Sequence, residues 1–97
     1  MMSPSNVYVY ELTATRSAAR EASVSAVVLA ILDVRPVGPV YRWTVAVTQE
    51  QAFQLRGLPW VITPMQRGQM YRVGDNLEFH DSVREETWSV SIEEIAR

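Results

Sequence analysis

Between positions 40 and 47 the chain alternates: Tyr41, Trp43, Val45 and Val47 fall on one side, Arg42 and Thr44 on the other. That period of two is the mark of a half-buried strand. Residues 7–13 are β-branched and aromatic and predict a first strand. Near the other end, Leu77 and Phe79 share one face while Asn76, Glu78 and His80 face the other way, and Trp88-Ser89-Val90-Ser91-Ile92 again alternates. Residues 60–63 predict a further strand, residues 66–68 a turn, and residues 69–73 an extended segment. Residues 14–22, rich in alanine, read as a loop or a short helical turn. Residues 23–34 are ambiguous: their Val, Ile and Leu content favours a strand, whereas the alanines and the loss of alternation after Val27 leave a buried helix open. The turn that follows, Arg35-Pro36-Val37-Gly38-Pro39, favours the strand and a hairpin.

One helix is well punctuated. Thr48-Gln49-Glu50-Gln51 fits a capping box, in which the threonine oxygen and the Gln51 side chain satisfy each other's orphan backbone donors. About two turns follow through Phe53 and Leu55; Gly57 offers the left-handed conformation that ends helices, and Pro59 blocks resumption. The resulting order is β-β-β-α-β-β-β. It predicts an α+β fold, a curled, mostly antiparallel sheet or small β-barrel with one short helix, in a single domain spanning residues 1–97.

Composition narrows this further. With 97 residues, 11.0 kDa and 47% apolar side chains, the chain fits one ordinary globular domain. It has no cysteine, so disulfides, thiol nucleophiles and cysteine-based zinc sites are excluded. All nine basic residues are arginine. The net charge of −2 conceals an asymmetry: residues 1–74 carry seven arginines against four acids, and residues 75–97 carry seven acids against two arginines. The first residues lack the positive charge and apolar run of a secretory signal. The most apolar stretch, residues 26–32, is far shorter than the ~20 residues of a membrane span. The expected setting is therefore cytoplasmic, away from the membrane.

Few residues suggest chemistry. The four glycines, Gly38, Gly57, Gly68 and Gly74, form neither a P-loop nor a dinucleotide fingerprint, and no Gly-x-Ser-x-Gly elbow occurs. Without lysine, Schiff-base chemistry is closed. His80 stands beside Asp81 and two residues after Glu78, but metal sites need three or four ligands, so it reads as a surface histidine. The expectation is no catalytic residue, no metal and no cofactor. Aromatic rings at Tyr8, Tyr10, Tyr41, Trp43, Trp60, Tyr71 and Trp88 interleave with arginines, a combination that can stack bases and hold phosphates, although tryptophans of this pattern more often fill a core. Arg42, Arg67, Tyr71 and Arg72 fall on polar faces or turn edges and are the candidate binding residues.

The stretch Gln51-Ala52-Phe53-Gln54-Leu55-Arg56-Gly57, followed by Tyr71-Arg72-Val73-Gly74-Asp75-Asn76-Leu77-Glu78-Phe79, resembles the ASCH/PUA-like superfamily of small β-barrels over residues 45–92. The resemblance implies binding of RNA or modified nucleosides, and in some members an amidohydrolase activity that relies on a lysine soon after the helix-terminal glycine. Here that position is occupied by Leu58-Pro59-Trp60-Val61-Ile62, without the lysine or the usual Glu-x-Arg, so the enzymatic role does not carry over. The leading expectation is a small non-enzymatic interaction module of adaptor or inhibitor type, acting through a surface that binds a protein partner or a second copy. The alternatives are a PUA-like binder of RNA or single-stranded nucleic acid, and an ASCH-like hydrolase with an altered site.

Overall fold

A computed structural model describes residues 7–16 and 20–95. In chain order the elements are β1 (Val7–Thr15), α1 (Glu21–Ser25), β2 (Ala30–Val37), β3 (Val40–Thr48), α2 (Gln49–Leu55), β4 (Met65–Gln69), β5 (Tyr71–Val73), β6 (Asn76–Asp81), β7 (Glu86–Ser91) and α3 (Ile92–Ile95). Two antiparallel sheets result, one ordered β2-β3-β1-β4 and the other β5-β6-β7. The α+β class holds. The small barrel does not: the strands form two separate open sheets, and α1 and α3 stand where the expected order has no helix.

The longest pairing joins β1 to β3 without interruption, from Val7 opposite Thr48 to Thr15 opposite Val40. These two strands occupy the middle of the larger sheet and are covered on both faces, which explains why Trp43 through Val47 are all buried. Tyr10, Leu12, Trp43, Val45 and Val47 point to the helical side and pack with Val24, Val28, Ala52, Leu55 and Val61. Val7, Val9 and Ala46 point to the opposite side and pack with Met70, Leu77, Phe79, Trp88 and Val90. The molecule thus has three layers: helices, the four-stranded sheet, and the three-stranded sheet. Its radius of gyration, 12.9 Å, is that of one compact domain of this length.

Two hairpin turns follow from glycine. Gly38 (φ +60°) and Gly74 (φ +61°) each occupy the first position of a two-residue loop, between Val37 and Val40 and between Val73 and Asn76. Both are positions where an L side chain is strained and glycine is not, as in the primed turns that match strand twist. The Val-Gly-Asp motif is therefore the β5–β6 hairpin turn.

The capping box of α2 is present: Thr48 Oγ1 accepts from the Gln51 N–H at 3.0 Å, and Gln51 Oε1 accepts from the Thr48 N–H at 3.0 Å. Its other end differs from expectation. Gly57 does not adopt the left-handed conformation; the helix closes by tightened turns, with the Gly57 N–H donating to the Gln54 carbonyl and the Leu58 N–H to that of Leu55.

Three further expectations are corrected. Residues 23–34 are not one strand: residues 23–25 belong to α1, the Val27 N–H donating to the Val24 carbonyl turns the chain out of it, and the strand begins only at Ala30, with Val24 and Val28 buried in the same core. Residues 60–63 contribute only a single bridge, Val61 opposite Ala14, since Pro59 and Pro64 bracket a segment too short for a ladder. The turn expected at residues 66–68 lies inside β4, where Gln66 and Gly68 pair with Tyr10 and Val9 and Arg67 is the extra residue of a bulge.

Candidate functional site

The layer between the two sheets is apolar at one end and charged at the other. Along β1 the residues facing the smaller sheet run Val7, Val9, Glu11; along β6 they run Leu77, Phe79, Asp81. Period two thus carries two acids onto the inward face, Asp81 at only 3% exposure. A carboxylate so placed requires partners.

Three arginines supply them. Arg67 ion-pairs with both acids, Nη1 to Glu11 Oε2 and Nη2 to Asp81 Oδ2, and so ties the two sheets together. The β4 bulge re-aims this side chain inward, a use that bulges near sites commonly serve. Arg42, reaching from β3, places Nε 2.9 Å from Glu11 Oε1 and keeps 41% of its side chain exposed. Arg84, from the β6–β7 loop, places Nη2 3.3 Å from Glu11 Oε2. That loop is organised by Asp81, whose Oδ1 accepts from the backbone N–H of Val83 at 3.0 Å and of Arg84 at 3.3 Å. The left-handed backbone of Glu85 (φ 55°) completes the turn back into β7.

Burial pushes against the Asp81 charge, but the N–H groups of Arg84 and Val83 and the guanidinium of Arg67 together outweigh it and hold the carboxyl below its ordinary range. The balance of the cluster is then three guanidinium groups against two carboxylates. One donor is left over: Arg84 Nη1 is buried and has no hydrogen-bond partner.

The cluster floors an open cleft of about 550 Å³. Its walls add apolar surface from Met65, Phe79 and Val83, and polar groups from Gln66, His80 and Ser82. Val83 and Met65 stand 86% and 54% exposed at the rim. Gly68 lets the wall close: a Cβ there would lie 2.9 Å from Phe79 Cε2, and the Phe79 ring is itself stacked on Trp88 at 5.9 Å.

Of the expected binding residues, Arg42 and Arg67 converge in this cleft. Tyr71 and Arg72 lie on β5, both exposed, with the Arg72 Nε donating to the Gly74 carbonyl, and do not line it. Tyr10, Trp43 and Trp88 are buried, Tyr8, Tyr41 and Trp60 half-buried; of those seven rings Tyr71 alone is exposed. His80 faces outward, its Nδ1 3.1 Å from Thr87 Oγ1 across the hairpin. Among the described residues no group of three His, Asp or Glu side chains comes together as a metal site would need, and no helix is long and apolar enough to cross a membrane. Sequence reasoning did not single out Glu11 and Arg84, and weighed Asp81 only as a neighbour of His80. The signal was an acid at each inward position where an alternating apolar stripe continued.

A second, smaller hollow of about 280 Å³ lies on the helical side of the larger sheet, between β1 and α2, lined by Tyr8, Tyr10, Ala52, Phe53, Arg56 and Gln66 among others. Phe53 is 80% exposed there.

No protein-family model, no curated protein and no solved structure matches this chain.

Proposed function

We propose that this chain is a small non-enzymatic interaction module that docks a protein partner at the arginine-lined cleft. The observation that carries the reading is the surplus of guanidinium over carboxylate in a cleft with an apolar rim. A half-buried cationic floor with exposed Val83 and Met65 beside it suits a peptide that brings a carboxylate and aliphatic contacts together.

Nucleic acid is the less suited partner. Stacking needs several exposed rings side by side, and of the nine aromatic side chains only Phe53, on α2, and Tyr71, on β5, are exposed. The cluster's surplus is one positive charge at one cleft, not the run of open cationic contacts that a phosphate backbone uses.

Titrating the purified protein with poly-L-glutamate and, separately, with single-stranded oligouridine tests this. The expected result is saturable poly-L-glutamate binding, weakened in Arg42→Gln, with oligouridine much weaker. Preferential oligouridine binding with a steep salt dependence would overturn it, as would a turnover abolished by His80→Ala.

A further inference from the structure

The cleft and the smaller hollow flank one strand. β4 is the outermost strand of the larger sheet, and among the described residues it pairs only with β1, leaving its other edge open. Met65, opposite Glu11, borders the arginine cleft; Gln66, opposite Tyr10, stands at the edge between the cleft and the hollow beside α2 and lines both. An unpaired edge is thus bordered by a cationic pocket on one face of the sheet and an aromatic pocket on the other.

Three other strands are edges: β2 and β7 meet each other, and β5 is short. β2 carries Pro36 and is tied to β7 by Arg35, whose Nη2 lies 2.5 Å from Glu86 Oε1; proline and charge are the usual guards of an edge. β5 has only three residues. β4 has five, none of them proline. Its bulge, a device that elsewhere discourages pairing, here turns Arg67 into the cleft.

Successive side chains of an extended peptide point to opposite faces. We propose that an extended acidic peptide segment of a partner protein adds to β4 as a fifth strand, with alternating carboxylate and apolar side chains. Its carboxylates enter the cleft beside Arg42 and Arg84. Its apolar side chains enter the hollow against Tyr8 and Phe53. Main-chain hydrogen bonds to β4 supply affinity, and the two pockets read the alternation. This mode rests on the protein-docking reading above and adds to it a strand geometry and a sequence pattern.

The test uses a synthetic peptide of alternating glutamate and leucine, its glutamine–leucine counterpart, and a version with N-methylated backbone, titrated into the full-length protein. The expected result is binding of the first peptide, with roughly tenfold or greater weakening for each of the other two and slowed amide exchange along β4. Arg42→Gln, at a half-buried position, and Phe53→Ser, at an exposed one, are each expected to weaken the glutamate–leucine peptide, the first without affecting the glutamine–leucine peptide. Equal binding of the N-methylated peptide would overturn strand addition while leaving the acidic docking surface in place. Absence of binding by every peptide, with oligouridine bound instead, would overturn both. A dimer of the protein itself, sealed through β4, would assign the edge to a second copy and overturn the peptide proposal.

Discussion

The two faces of the four-stranded sheet come from the same strands and are filled in different ways. On the helical face Leu12, Trp43, Val45, Val47 and Leu55 make an apolar core with two short helices over it. On the other face an apolar half, with Phe79 stacked on Trp88, gives way to Glu11, Asp81, Arg42, Arg67 and Arg84. The difference teaches where function has room. The helical core is held by area removed from water, which is non-directional and tolerant of detail. The charged half is held only if each partner is present, and ion pairs of this kind are weak evidence for stability by themselves. A cluster of that sort, placed at an open cleft with one guanidinium in excess, is what the docking proposal rests on.

The sharpest way to break the comparison is to remove one charge from the polar half. Asp81→Ala leaves Arg67 without its buried partner and the β6–β7 loop without its acceptor, and is expected to cost about 3–5 kcal/mol in urea unfolding. On the apolar face, Leu12→Ala opens a cavity at a fully buried position; its expected cost is about 2–5 kcal/mol, insensitive to salt. Gly68→Ala drives a methyl into the Phe79 ring and should cost about 1–3 kcal/mol, read as a lower thermal midpoint. The smallest effect concerns Glu85, a non-glycine residue in the left-handed region: Glu85→Gly relieves that backbone and is expected to be neutral or stabilising by under about 1 kcal/mol.

Acid sharpens the same contrast. Because the folded-state carboxyl of Asp81 lies below its unfolded value, its stabilisation is in full force above about pH 4 and disappears as pH falls through the lower folded-state value. Stability measured across that acid limb should fall more steeply in the wild type than in Asp81→Asn. An equal slope in both would remove Asp81 from the account.

Much of the larger sheet was legible in the sequence because its signals are local. Alternation along residues 40–47 fixes which face each side chain takes, and Thr48 with Gln51 announces the helix start. The first helix was misread because Val24 and Val28 bury equally well in either period until the opposing sheet is known. The barrel was misread for a related reason: strand pattern specifies faces, whereas closure depends on which edges meet, and here β4 and β5 belong to different sheets. Two of the five charged residues of the candidate site were visible, Arg42 on a polar strand face and Arg67 at a turn edge. The other three were not, because Glu11 and Arg84 lie 73 residues apart and only the stacking of two sheets brings them together with Asp81.

The central claim is that the arginine cleft is where this chain meets its partner. The most direct test follows the arginine Nε–Hε signals by NMR while the glutamate–leucine peptide is added. The account predicts that Arg42, Arg67 and Arg84 shift together and saturate, while Arg35 and Arg72, outside both the cleft and the hollow, do not follow the same curve. Shifts centred on Arg72 and Tyr71, with the three cleft arginines unchanged, would contradict it.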